Sequence, residues 1–365
     1  MPSQTTAVAL IFGGRSAEHE VSILSARSVF EAAPRDRFEI LPACVARDGN
    51  FMGPEASLAA LLEPGTRTDE GDPLFDFPRW LRERGVAVAF PLIHGTTGED
   101  GVLQGYLDFL GLSYVGAGVT ASAVGMDKAL MKLAFSHAKL PIVDFVAISE
   151  ADWGVEREKM IRSVNNGLRL PYFVKPANAG SSVGVSKVKT DDALIPAIEH
   201  AFRFDEKVLV ERGIDAREIE VAVLGNEDPR ASLPGEVVPG AEFYDYDDKY
   251  VDDRSTLTIP AKLTDERTAE IRKLAVRAFR SIGAHGYARV DFFIEKGTNK
   301  VFVNEINTIP GFTRISMYPK LWEATEIKYS RLIEKLLDLA LERGDARKKR
   351  FASMMSFFDD ANRLT

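Results

Sequence analysis

Apolar residues open the chain as short unbroken runs and later fall into alternating or helical patterns. Residues 7–12 (AVALIF) run into Gly13-Gly14 as a buried strand does, and the segment from Ser16 to Phe30 takes up helical spacing with Glu18 and Glu20 near its start. Strands over 38–46 (FEILPACVA) and 86–93 (VAVAFPLI) follow. A helix over 99–112, with Val102, Leu103, Tyr106, Leu107 and Leu110 on one face, completes the pattern of an open α/β domain. Functional groups in such sheets gather beyond the carboxyl ends of the strands, where Glu18 and His94 fall.

From about residue 120 the pattern becomes one helical run (122–140), then strands around 143–148 and 171–188, a helix near 192–203 and the strand 208–214, a small α+β unit. A third region alternates strands over 217–225, 232–238 and 256–263 with a helix over 264–283 and the strand pair 288–295/300–307. The tail sets Phe351, Met354, Met355 and Phe358 at helical spacing beside a basic run. Its expected place is on the chain's own core or a dimer mate; a membrane surface or partner helix is the alternative.

At 365 residues the chain has room for two or three domains, and 45% hydrophobic with 27% charged residues is an ordinary globular composition. A net charge of −8 disfavours binding to a nucleic-acid backbone. Cys44 is the single cysteine and the five histidines show no paired ligand spacing, so disulfides and a zinc centre are not expected. The N-terminus lacks a basic leader segment, and no apolar run approaches the ~18 residues of a membrane span. A cytoplasmic enzyme without nucleic-acid or membrane partners is expected.

Two stretches carry chemistry. In 173–188 (FVKPANAGSSVGVSKV) an apolar strand ends in Lys175, and a small-residue loop with Ser181 and Ser182 leads back into an alternating strand. Neither a Walker loop nor a dinucleotide fingerprint is present. Small side chains let backbone N–H groups approach an anion, so the loop reads as a phosphate lid or simply as a turn. In 289–307 (RVDFFIEKGTNKVFVNEIN), a turn over 296–300 sets Asp291 opposite Glu305, with Arg289 and Asn307 on the same faces. Adjacent carboxylates repel, so an inward-facing pair needs a cation, and with the Asn307 amide the oxygen set suits Mg²⁺ carried with nucleotide phosphates. The alternative is a solvated face, with Phe292, Ile294, Phe302 and Ile306 filling the buried side. Lys128, in GMDK, is a second phosphate-facing candidate or a surface lysine.

The segments IFGGRSAEHEVSI, PLIHGTTGEDGVLQG, YVGAGVTASAVGMDK, VKPANAGSSVGVSKV, VERGIDAREIEVAVLG, FYDYDDKY, ARVDFF and VNEINTIPGFTRISMYP together resemble the D-alanine:D-alanine ligases of the ATP-grasp superfamily, in family order from residue 7 to about 340. The resemblance implies a Rossmann-like N-terminal α/β domain (1–122) followed by a two-lobed ATP-grasp fold: a small central lobe (123–214), a catalytic lobe (215–344), and the tail 345–365. It implies ATP-dependent formation of D-alanyl-D-alanine for peptidoglycan through a D-alanyl phosphate, with ATP, two Mg²⁺ ions (Mn²⁺ as alternative) and a homodimer. Glu18 would hold the first substrate's ammonium, and Lys128 and Lys175 would neutralise ATP phosphates beside Ser181 and Ser182. Glu211, Arg212, Ile214 and Glu218 would line the adenosine pocket. Asp291, Glu305 and Asn307 would hold magnesium, and Arg289 with the Gly311 N–H would stabilise the oxyanion. Ser316, Met317 and His94 would face the substrates. Ser181, Tyr250 and Glu18 would fasten a loop over the site, with Lys249 near the transferring phosphate. Arg212 stands where the family often has lysine, and the tail extends past the resemblance. The alternatives are a D-alanine:D-lactate ligase, disfavoured because relatives of that kind replace Tyr250, and a non-catalytic nucleotide-binding module.

Overall fold

The computed structural model describes residues 5–238 and 256–362, with side chains to residue 357. The first unit is built from β1 (Thr6–Gly13), α1 (His19–Ala32), β2 (Phe38–Val45), α2 (Pro54–Leu62), α3 (Phe77–Glu83), β3 (Val88–Pro91), α4 (Val102–Phe109) and β4 (Ser113–Tyr114). Its four strands are parallel in the order β2-β1-β3-β4, so the open α/β sheet expected from the apolar runs is present. Glu18, at the start of α1, and His94, beyond β3, both lie at the carboxyl edge.

The helical run expected over 122–140 is two helices, α5 (Val119–Met126) and α6 (Lys128–His137). Asp127 breaks it: its backbone is extended, and its carboxylate accepts from the Ala129 and Leu130 N–H groups at 3.0 Å each, capping α6. The break places Lys128 on the first turn of a new helix. The small lobe then runs through β5 (Phe145–Ser149), α7 (Glu150–Gly167), β6 (Tyr172–Pro176), β7 (Ser186–Val188), α8 (Leu194–Ala201) and β8 (Lys207–Arg212), an antiparallel sheet ordered β5-β8-β6-β7. Val174, Val208 and Val210 point into a core under α7 and α8, while Lys175 and Glu211 lie on the opposite face.

The large lobe contains β9 (Ala216–Gly225), β10 (Arg230–Ala231), β11 (Gly235–Val238), β12 (Thr256–Thr258), α9 (Asp265–Ser281), β13 (Gly286–Glu295), β14 (Val301–Asn307), α10 (Met317–Glu323) and α11 (Tyr329–Asn362). Its sheet is ordered β12-β11-β9-β13-β14, with β10 paired to β9. Helix α9 covers the face carrying Ile219, Val221, Val290, Phe292 and Ile306. The other face meets the first unit: Leu10 and Phe12 share one core with Tyr287, Phe312, Leu332 and Leu336.

Among the described residues, the tail does not dock on the chain's own core. Phe351, Met354 and Met355 are exposed because α11 runs past the edge of the first sheet, where Arg347 pairs with Asp108. The Phe358 side chain lies outside the described residues.

Two glycines permit the close join between the first unit and the large lobe. A Cβ on Gly286, whose φ is +72°, would lie 2.9 Å from the Cα of Gly116, itself at φ +98°. Replacing Gly286 with alanine is expected to lower unfolding stability by about 1–3 kcal/mol in urea titrations, from backbone strain and overpacking together. An unchanged midpoint would show that the join yields without cost.

Candidate active site

A cavity of about 530 Å³ opens where the carboxyl edge of the first sheet, the small-lobe loop and the polar face of the large sheet converge. It is lined by Glu18, His94, Lys128, Ser181, Arg289, Glu305, Asn307, Gly311, Ser316 and Met317, ten of the residues picked out from sequence. Lys175, Glu211, Arg212, Ile214, Glu218 and Asp291 lie on the adjoining lobe faces and the hinge between β8 and β9. Ser182 is exposed on the lid loop. Lys249 and Tyr250 lie outside the described residues.

The floor is the β9-β13-β14 sheet. Asp291 pairs with Glu305 as expected, and on its other side with Glu220, although the strands leave the turn one residue off the expected register, with Ile294 opposite Val301, and an irregularity between Asp291 and Phe292 restores it. Three neighbouring strands thus present a row of carboxylates. Arg289 compensates within the protein: its Nε and Nη2 donate to the two Asp291 oxygens at 2.7 Å each, and Nε lies 3.0 Å from Glu220 Oε2. Burial works against the charged guanidinium, but Asp291 and Glu220 raise its pKa well above the ordinary value. The Asn307 Oδ1 accepts from the Ile309 N–H at 3.0 Å, turning the chain toward Gly311.

A bulge between Asp291 and Phe292 changes one expectation. Phe292, Ile294 and Ile306 are buried against α9, as in the alternative reading of the hairpin, but Phe302 pairs with Phe293 and leaves that face. The extra residue re-aims its ring toward the small lobe, where the Arg212 guanidinium lies 5.8 Å from the ring centroid. Arg212 also donates to Glu295 Oε1 at 3.0 Å, so it spans the two lobes.

The wall comes from the first unit. Glu18 Oε1 accepts from the Ser181 hydroxyl at 2.8 Å, joining the first unit to the lid. Gly95 leaves room for it, since a Cβ there would sit 3.1 Å from Glu18 Oε2. His94 Nδ1 donates to the Ile309 carbonyl at 2.9 Å, so Nε2 is the acceptor for Ser25 Oγ at 3.0 Å, and burial lowers its pKa. Both ring nitrogens are therefore engaged with protein, and His94 reaches the cavity as wall. Gly311 makes room for Ser316, whose Oγ would lie 3.2 Å from a Cβ and accepts from the Thr313 N–H at 3.1 Å.

The roof is the lid. Lys128 Nζ donates to the Ala179 carbonyl at 2.7 Å, and its N–H bonds Ala177 O at 3.0 Å. Burial lowers its pKa and Lys175 adds to this, while Glu305 and Glu211 oppose it. Ser181 and Ser182 hold φ of +49° and +60°, a left-handed pair of the kind that persists at ligand clamps. Glu211 pairs with both Lys175 and Lys132; burial would raise its carboxyl, but the two ammonium groups outweigh burial and bring its pKa down to about 2.

Sequence reasoning missed Glu220, Glu99 and Lys132. Glu220 could have been found by extending the alternation across 217–225. Glu99 accepts from the Gly95 N–H at 3.0 Å, and burial and then Glu18 push its carboxyl well above the ordinary range. Among the described residues no group of three or more His, Cys, Asp or Glu stands close enough to hold a metal by itself. None of their helices is long and apolar enough to cross a membrane.

The D-ala D-ala ligase N-terminus family matches residues 7–117, and the D-ala D-ala ligase C-terminus family matches residues 134–338. The chain is 47% identical over 361 residues to D-alanine--D-alanine ligase of Chlorobaculum tepidum, covering 94% of this chain and 98% of that protein. It is 45% identical over 336 residues to that of Halothermothrix orenii, with 91% and 97% covered. The fold superposes on the D-alanine-D-alanine ligase from Coxiella burnetii with a TM-score of 0.82 at 34% identity, over 98% of this chain and all of that one. The VanG D-Ala:D-Ser ligase from Enterococcus faecalis gives 0.80 at 32%, over 92% and 100%. With its parallel first sheet, its two antiparallel lobes and relatives matching nearly end to end, the chain belongs to the D-alanine:D-alanine ligase family, enzymes of the ATP-grasp fold.

Proposed function

We propose that this cavity joins two D-alanine molecules at the expense of ATP, and that Glu18, Lys128, Lys175, Arg289 and the carboxylate row carry the chemistry. The observation that carries the reading is the meeting of three elements in one place: an acceptor for an ammonium group, buried lysines under a small-residue loop, and carboxylates matched to a guanidinium. A carboxylate oxygen of the first D-alanine takes the γ-phosphoryl group as its bond to ADP breaks. The amine of the second then attacks the carbonyl carbon, and phosphate departs with the bonding pair while the amine loses a proton.

Glu18 suits the first substrate's ammonium, and its bond to Ser181 ties that subsite to lid closure. Lys128 and Lys175 offset phosphate charge. The Gly311 N–H and Arg289 are the donors for the oxyanion, a preorganised pair of the kind that contributes most to acyl transfer. Ser316 suits the second substrate's carboxylate, with Met317 packing beside it. Glu211, Arg212, Ile214 and Glu218 are assigned to the adenosine side.

Asp291, Glu305 and Asn307 fit a hard divalent cation, because they are all-oxygen donors in a row of mutually repelling carboxylates. When bound, magnesium would neutralise charge on the transferring phosphoryl group. Two ions, manganese as a substitute, a cytoplasmic location and a homodimer belong to the reading on the family resemblance.

The test is phosphate release with product chromatography when D-alanine, D-serine and D-lactate compete. D-Alanyl-D-alanine should dominate. A dominant D-serine or D-lactate product would change the second substrate, and no D-alanine-dependent phosphate release would overturn the reading.

Glu305→Gln is expected to cut turnover at least 100-fold at saturating magnesium while the melting temperature holds or rises, since it removes one charge from the row but keeps its shape. A wild-type rate would remove Glu305 from the metal site. Amide hydrogen exchange over 176–184 should slow when an ATP analogue and D-alanine bind together, because closure keeps water from an acyl phosphate. Equal exchange in both states would contradict a closing lid.

A further inference from the structure

Lys132 is an unusual lysine. It lies one turn after Lys128 on the same face of α6, and its side chain is 2% exposed. Lysines are almost never buried so fully without a partner. Its ammonium pairs with one oxygen of Glu211, and Lys175 pairs with the other. The Phe145 ring lies 5.4 Å from Lys132 Nζ and walls it in. The Lys175 side chain, by contrast, is 15% exposed. Glu211 therefore links a lysine sealed in protein to one that reaches the nucleotide side.

This arrangement has an electrostatic consequence. A single carboxylate facing Lys175 alone would form a neutral pair and draw the ammonium away from any phosphate. With Lys132 on the second oxygen, the buried triad carries a net charge of +1. The same pairing pins α6 to β8, next to the second pin formed by Lys207 Nζ and Asp127 Oδ2 at 2.5 Å. The distance between Lys128 on α6 and Lys175 on β6 is thereby fixed from behind.

We infer that Lys132 is a positioning residue for nucleotide phosphates: by holding one oxygen of Glu211 it leaves Lys175 its positive charge and sets the spacing of Lys175 from Lys128. Lys132 itself touches no nucleotide. The inference rests on the reading that ATP binds this cavity, and it adds a residue that acts only through Glu211.

The test is the ratio of ADP to adenosine affinity, measured by calorimetry on the full chain with magnesium. The ratio isolates the phosphate contribution, because damage to the base pocket weakens both ligands alike. Lys132→Met should reduce it about tenfold, less than the loss of a desolvated charge in direct contact would cost because Lys132 acts only through Glu211, and raise KM for ATP with KM for D-alanine unchanged. Lys132→Arg should stay near wild type. Glu211→Gln, which frees Lys175 from its carboxylate, should raise the ratio, and adding it to Lys132→Met should restore the ratio toward wild type. The double variant removes the buried carboxylate together with the buried ammonium and leaves only the partly exposed Lys175 charged, so it keeps the test open if Lys132→Met does not fold. A ratio unaltered in Lys132→Met, or a double variant as poor as the single, would overturn the inference. Wild-type protein binding neither ligand would instead overturn the nucleotide reading.

Discussion

The arrangement of this protein follows from the row of carboxylates, Glu220, Asp291 and Glu305, on three hydrogen-bonded strands. Two such charges ~5 Å apart repel by about 3 kcal/mol at an effective dielectric near 20. A fold does not keep that cost on a sheltered sheet face without cations to meet it. Arg289 answers for Asp291 and Glu220 from the same sheet. Lys128 draws on Glu305 from another lobe, on a helix that exists as a separate element because Asp127 breaks the run before it.

That constraint explains why three units surround one cavity. The large sheet supplies negative charge, the small lobe supplies lysines held by Glu211, and the first sheet brings Glu18 to the lid through Ser181. The opposing charges leave a space in which a polyphosphate and a divalent cation can replace internal pairing. The conformational price is local: two serines with positive φ in the lid, and glycines at 95 and 311 where side chains would fill the site.

Much of this was legible in the sequence, for reasons that differ by element. The pairing of Asp291 with Glu305 agreed with period-two alternation, whereas beside the turn the strands run one residue off the expected register, with Ile294 opposite Val301. The first sheet followed from apolar runs ending in glycine. The bulge after Asp291 was not legible, because one extra residue leaves the composition of both faces plausible, and it moved Phe302 to the opposite side. The break at Asp127 was hidden by apolar residues continuing in helical phase across it. Helix α7 was missed because only Trp153 and Val164 are buried along its 18 residues, although Ser149 and Asp152 form a capping pattern at its start. Lys132 looked like any helical lysine, since its burial depends on Glu211, 79 positions away. The family resemblance placed residues that spacing alone left open, as with Gly311 and Ser316.

The central claim is that ATP activates a carboxylate here before an amine attacks it, and oxygen tracing tests it most directly. With D-alanine labelled by ¹⁸O in both carboxyl oxygens, one labelled oxygen should leave in the inorganic phosphate for each dipeptide formed, the other remaining in the new amide. Unlabelled phosphate beside labelled dipeptide would mean that ATP is hydrolysed without phosphorylating the substrate, and the account of this site would be wrong.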